Sequence, residues 1–131
     1  MAKRKRICNE HSHRYPYFLW SLSAPSQIAQ HKLKELETPA NIVYVSSITI
    51  AEIMIKASIG KLDINFDPRE LALQSGFELL DFTSQAAALL KDLPFHHKDP
   101  FDRMLICQSL FHGYPLMTDD KKIKQYCCKI I

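Results

Sequence analysis

Blocks of helical and strand periodicity alternate along the chain. Ser23 or Ala24 precedes Pro25, a residue suited to the first helical position, and Ala29, Leu33 and Leu36 recur at i, i+4 and i+7, so 25–38 is predicted as a helix. The turn TPAN leads into IVYVS (42–46), a short β-branched run that predicts a buried strand. SITIAEIMIKASIGK is predicted as a helix, started at Ser46/Ser47 and by the capping-box spacing Thr49-x-x-Glu52, and ended at Gly60. Asp67-Pro68 opens a further helix closed by Gly76. FELLDF (77–82) follows as a strand, Thr83 caps a helix through Leu90, and LPFHHKDP is a loop. PFDRMLICQSLFHG is a helix ended at Gly113, PLMT (115–118) a strand, and DDKKIKQY a last helix.

Strands alternating with helices imply an α/β domain around a mostly parallel sheet, and 131 residues suit one such domain. No apolar run approaches the roughly 20 residues of a membrane span, and no apolar core of a signal peptide follows MAKRKR. The net charge of +3 permits a nucleic-acid partner without arguing for one. Much of it sits in MAKRKR, which is read as a solvated tail rather than a phosphate-contacting arm. Cys8, Cys107, Cys127 and Cys128 form no C-x-x-C, and their pattern fits a reducing cytoplasm. Cys107, in an apolar helical run, is expected to be a buried, inert thiol.

In open α/β sheets the functional crevice lies outside the carboxyl ends of the strands, and three acids fall there. Glu52 interrupts the apolar stripe Ile48, Ala51, Ile55 and Ile59, which costs free energy unless the carboxylate is paired or liganded; an edge position reaching a lysine is the plain alternative. Asp102 lies in the first turn of its helix, where an acid is favourable in any case. Asp99 is the better candidate for that helix's N-cap, leaving Asp102 to point toward the sheet. Asp119 and Asp120 follow PLMT, and capping the next helix needs only one of them. Clustered carboxylates repel unless a cation or protons neutralise them. Oxygen ligands suit Mg²⁺ or Mn²⁺, which can activate water and offset charge on a phosphodiester.

From Phe18 to about Tyr126 the chain resembles the PIN-domain ribonuclease toxins of bacterial VapC-type toxin–antitoxin pairs. The matching stretches are VYVSSITIAEIMIKASIGKL, GFELLDFT and LPFHHKDPFDRMLICQSLFHGYPLMTDD, with HHKDPFDRMLICQSL the most diagnostic. The resemblance implies a PIN-like three-layer sandwich, a twisted, mostly parallel sheet flanked by helices, and a domain over 18–131. It also implies a carboxylate crevice binding Mg²⁺ or Mn²⁺, cleavage of RNA, a cognate antitoxin protein and a homodimer. Position by position, Glu52, Asp102 and Asp120 match the catalytic and metal-binding acids, Thr118 is the polar neighbour of Asp120, and Asp99 is a supporting group. His96, His97 and Arg103 are in reach of a phosphate by this match, although exposed loop histidines more often have no such role.

The family opens on a strand ending in an aspartate, in a stretch like L-x-D-T-H-x-F-L-W. Aligned on FLW, that position holds Arg14, a guanidinium where the central carboxylate belongs. The first strand is therefore doubtful, and 1–17 reads as an aberrant or disordered segment. Polar side chains on both faces and a late proline suit a central parallel strand poorly. The genetic code offers an account. Asn-Glu-His-Ser-His-Arg-Tyr-Pro-Tyr (9–17), read one base later, permits Met-Asn-Ile-Leu-Ile-Asp-Thr-His-Thr, the expected start of the family, so residues before about Tyr17 are read as out of frame. Two function classes stay open: a Mg²⁺-dependent endoribonuclease impaired by the missing acid, and an inactive PIN remnant that only binds an antitoxin. A carboxylate phosphatase is disfavoured, since no phosphatase-like strand motif carries a nucleophilic aspartate.

Overall fold

The computed structural model describes residues 4–8, 19, 26, 28–118, 120–126 and 130. The described strands are β1 (Arg4–Cys8), β2 (Asn41–Ser46), β3 (Glu78–Leu80) and β4 (Leu116–Met117). They form one sheet in the order β3-β2-β1-β4, with every pairing parallel. Flanking it are α1 (Gln30–Glu37), α2 (Ser47–Ser58), α3 (Pro68–Gln74), α4 (Ser84–Ala87) and α5 (Pro100–His112).

Alternation along the strands divides the interior into two cores. Ile7 and Leu116, register partners, face a core built from Leu105, Ile106 and Cys107 of α5 with Leu93, Ile123 and Tyr126. Cys8 and Met117, the next pair, face the opposite core with Val43, Val45, Ile53 and Ala72, against which Leu33 and Leu36 of α1 pack. The result is helices, sheet, helices, the expected three-layer α/β sandwich. Strand order reverses between β1 and β4, which places the crevice of such a sheet outside their carboxyl ends.

Local chemistry sets most boundaries. The Ser46 hydroxyl accepts the Ile48 N–H (3.1 Å), Asp67 the Arg69 N–H (2.9 Å) and Thr83 the Ala86 N–H (3.2 Å), each capping the helix that follows. Gly113 closes α5 at φ 72°, a left-handed turn that sends the chain into β4.

Several elements differ from expectation. The capping box at Thr49 and Glu52 does not form, because α2 begins at Ser47, capped by Ser46; the buried Thr49 hydroxyl has no hydrogen-bond partner. The helix expected over 25–38 is α1, Gln30–Glu37, with Pro25 outside the described residues. FELLDF and PLMT shorten to β3 and β4, and the helix after Thr83 continues beyond α4 as a 3₁₀ stretch, Ala88–Asp92. The last helix is only a 3₁₀ turn, Ile123–Gln125, since Asp120 Oδ1 accepts the Lys122 N–H (2.8 Å) and forms a tight turn there.

The largest correction concerns the amino terminus. Residues 4–6 of the basic run are not a solvated tail; with Ile7 and Cys8 they form β1, in the middle of the sheet. The reason is the brevity of β4. Only Ile7 and Cys8 lie between two strands, and both are at most 1% exposed. Arg4–Arg6 pair with β2 alone, and their long side chains carry charge outward. Arg6 Nε reaches Glu35 Oε2 (3.1 Å), and Lys5 Nζ contacts the Tyr114 hydroxyl (3.4 Å).

Candidate carboxylate crevice

Asp99 precedes Pro100, which removes one unsatisfied N–H from the start of α5. Asp99 Oδ1 accepts the N–H groups of Phe101 (2.9 Å) and Asp102 (3.2 Å), making it the N-cap. With that role filled, the Asp102 carboxylate turns inward and is 3% exposed. Across the crevice β4 is followed by Thr118, whose hydroxyl accepts the Asp120 N–H (3.0 Å) and fixes the backbone that carries the second acid. Beneath that turn the buried Lys32 donates its Nζ to the Thr118 carbonyl (2.9 Å).

Between the two carboxylates lies an imidazole. His97 Nε2 is 2.7 Å from Asp120 Oδ2 and 3.0 Å from Asp102 Oδ2. His97, Asp102 and Asp120 each present a ligand atom, all within 4.8 Å of one another, as the group among the described residues able to hold a metal ion. His97 itself is 5% exposed. Sequence reasoning set it aside as an exposed loop histidine; its position depends on the packing of 93–99 against Tyr126, 29 residues away, which no local pattern reveals. Lys32 was missed as well, since α1 was read through its leucines.

The environment drives the acids apart. Burial raises Asp102 to about 6, with the charges of Asp99, Asp120 and Glu52 adding and the neighbouring His97 ring opposing. Burial would raise Asp120 too, but the hydrogen bonds from His97 and from the Lys122 N–H outweigh it and hold this carboxyl below its ordinary value. Two neighbouring carboxyl groups that titrate apart have distinct capacities: Asp120 is the standing anion and Asp102 exchanges its proton near neutrality.

Glu52 is buried on α2 and close enough to act on Asp102 electrostatically. Its Oε2 lies 3.2 Å from Lys56 Nζ, one helical turn on, and it stands outside the tight group. Arg103 is engaged with its own loop. Its guanidinium donates to the carbonyls of Pro94 (3.1 Å), Leu93 (3.3 Å) and His97 (3.4 Å) and covers the Phe95 ring at 4.5 Å, so it ties the loop to α5. Arg14 and Asp119 lie outside the described residues. Cys107 is fully buried, and burial pushes its thiol up.

The donor set fits a hard divalent cation. The Asp120 carboxylate is charged, Asp102 is held in a charged-acid environment that positive charge would relieve, and both offer oxygen. Among the described residues no helix is long and apolar enough to cross a membrane.

Comparison with known proteins identifies the domain. Residues 18–128 match the model of the PIN domain, and the chain belongs to the PIN-domain family. In fold it is similar to the crystal structure of DNA-bound VapBC from Salmonella typhimurium, with a TM-score of 0.62 at 17% identity over 98% of this chain and 97% of that one. It is likewise similar to VapBC2 from Rickettsia felis bound to a DNA fragment from their promoter, with a TM-score of 0.61 at 14% identity over 97% of each chain. Comparison with curated proteins gives no match.

Proposed function

We propose that the chain is the toxin half of a VapC-type toxin–antitoxin pair, built as a Mg²⁺- or Mn²⁺-dependent endoribonuclease and impaired by the loss of its first acid. The observation that carries this reading is the convergence of Asp102 and Asp120 outside the ends of β1 and β4, with their proton affinities split. A Mg²⁺ or Mn²⁺ ion held there would supply Lewis acidity toward the phosphodiester and its attacking water. Asp120 and Asp102 would hold that ion, Glu52 would add negative potential from α2, and Thr118 and Asp99 keep the two acids in register.

Impairment follows from what surrounds them. The described part of strand β1 runs to Cys8, and Arg14 stands where the resemblance, aligned on Phe18-Leu19-Trp20, calls for a carboxylate. The residues ahead of Phe18 lie outside the family match and are read as departing from the family frame.

An antitoxin partner is supported by the VapBC assemblies of similar fold and by an open apolar groove lined by Ile50, Met54, Ile64 and Phe66. Met54 is 50% exposed and Phe66 38%, a surface suited to a protein partner. RNA as substrate, a homodimer and a cytoplasmic location complete the proposal.

The test is RNA cleavage by the purified chain with Mn²⁺ or Mg²⁺, against Asp102→Asn. Weak cleavage that the substitution abolishes supports the impaired enzyme. No cleavage, together with a stable complex with the small protein encoded beside it, supports the inactive remnant. Cleavage indifferent to Asp102→Asn overturns both assignments of the crevice.

A further inference from the structure

The crevice histidine belongs to none of the roles assigned above. Two roles are open to an imidazole between two carboxylates: a nitrogen ligand to the cation, or a donor that holds the carboxylates. Hydrogen bonding at the far ring nitrogen separates them. The Asp99 N–H donates to His97 Nδ1 (3.1 Å), so Nδ1 presents a lone pair and carries no proton. The ring proton then sits on Nε2, the nitrogen facing Asp120 and Asp102. A nitrogen ligand needs the reverse, a free lone pair toward the metal and an N–H on the other side, given to a carbonyl or carboxylate. With both nitrogens accepting, the ring would have to be an imidazolate.

The surroundings hold this orientation. The His97 N–H donates to the Tyr126 hydroxyl (2.9 Å), its carbonyl accepts from Arg103 Nη1 (3.4 Å), and the ring is buried. Asp99 therefore serves two ends: its carboxylate caps α5 beneath Asp102, and its amide sets the ring that faces Asp102. Asp120 Oδ1 is used by the Lys122 N–H, whereas Asp102 Oδ1 makes no hydrogen bond among the described residues.

We propose that His97 is a positioning residue: its Nε2, oriented by the Asp99 amide, gives its hydrogen to Asp120 Oδ2 (2.7 Å) while lying 3.0 Å from Asp102 Oδ2, so that the ring holds these like-charged groups together for a cation bound through their oxygens. The inference deepens the reading of the crevice as a cation site and rests on it for the last clause only. This contact counters carboxylate repulsion before any cation arrives, and among the described residues Asp102 Oδ1 has no hydrogen-bond partner.

The test uses the full chain, with Mn²⁺ and Mg²⁺ as probes. Nitrogen-15 NMR of the imidazole, at one fixed pH above 7, reads the tautomer without and with Mg²⁺; the expected result is an Nε2–H ring in both. Mn²⁺ affinity is then measured for the wild type, His97→Ala and His97→Gln. Loss of a supporting donor typically weakens metal binding by about 10–100-fold, so His97→Ala is expected in that range. His97→Gln, whose amide N–H reaches the place of Nε2, is expected to recover most of the loss. A proton on Nδ1 or on both nitrogens, Mg²⁺-dependent loss of the Nε2–H, or unchanged affinity in His97→Ala overturns the assignment, as does a glutamine variant no better than the alanine one. If the wild type takes up no Mn²⁺, the cation site itself fails, and the metal-free spectrum alone decides whether this contact exists.

Discussion

The hydroxyl of Tyr126 accepts the backbone N–H of His97 at 2.9 Å, linking the carboxyl-terminal 3₁₀ turn to the loop that carries the crevice histidine. The same oxygen accepts the His96 N–H at 3.0 Å. Tyr126→Phe preserves the ring in its core and leaves both amides without a partner. The buried His97 N–H stripped of its acceptor costs about 1–3 kcal/mol, whereas the N–H of exposed His96 can turn to water. The variant is expected to lose stability by at least the lower figure, and the His96 and His97 amides to exchange faster with solvent. Unaltered melting and exchange would show that the loop holds itself.

Asp102 and Asp120 are predicted to respond oppositely to the same substitution. At pH 7.5, Asp102→Asn removes a buried carboxylate raised by burial and by three neighbouring acids. It is expected to stabilise the chain by about 1 kcal/mol or more while weakening Mn²⁺ uptake, the usual exchange of stability for function at a strained site. Asp120→Asn removes an acid whose charged form is favoured by His97 and the Lys122 N–H. It is expected to destabilise by about 1 kcal/mol, again with weaker Mn²⁺ uptake. Denaturant titrations of the two variants check the signs, and equal shifts in one direction would sink the account of the split acids.

Asp102 also predicts a pH dependence. Its folded carboxyl takes a proton near 6, against 3.8 for the ordinary group, so between those values the folded state binds more protons than the unfolded one. Stability from this group is therefore greatest at low pH, falls as pH rises through that window, and stays low above about 6. Asp120, lowered, contributes in the opposite sense: its stabilisation is present above its unfolded value and lost as acid protonates it in the folded state. A cation at Asp102 must displace its proton. Mn²⁺ affinity is thus expected to be roughly tenfold weaker at pH 5 than at pH 7, and thermal stabilisation by Mn²⁺ to grow over the same interval. Calorimetric titration at the two values measures it, and a flat profile contradicts the raised Asp102.

What could be read from the sequence was what local chemistry determines. Asp99-Pro100 and Gly113 bound α5 because capping and a left-handed turn depend on neighbouring residues, and Asp102 was turned inward by the same reasoning. The position of PLMT put Asp119 and Asp120 together at the carboxyl end of a strand, and only the family resemblance singled out Asp120. His97 was not legible, since its ring is aimed by a tyrosine far along the chain and by the amide of a residue read only for its carboxylate. Strand β1 was misread for a related reason: the rule that central parallel strands are apolar presumes long neighbours on both sides, and two-residue β4 demands only Ile7 and Cys8.

The last prediction concerns that strand and the missing acid. As written, β1 contributes two fully buried side chains, and its described part runs to Cys8. The one-base shift over 9–17 offers Met-Asn-Ile-Leu-Ile-Asp-Thr-His-Thr directly ahead of Phe18, where the family match begins. That stretch would enter the same slot with three consecutive apolar residues, followed by a carboxylate where the strand meets the crevice. Burying one further large aliphatic side chain contributes about 1.5–3 kcal/mol. A chain beginning with this stretch in place of 1–17 is therefore expected to be more stable by about that amount, and to cleave RNA with Mn²⁺ at least tenfold faster than the chain as written. Sequencing the gene across codons 9–17 tests the premise independently: codons that cannot encode Asp-Thr-His in the shifted frame end the idea. A redesigned chain with neither greater stability nor faster cleavage would leave Arg4–Cys8 as the true first strand and the inactive remnant as the better reading.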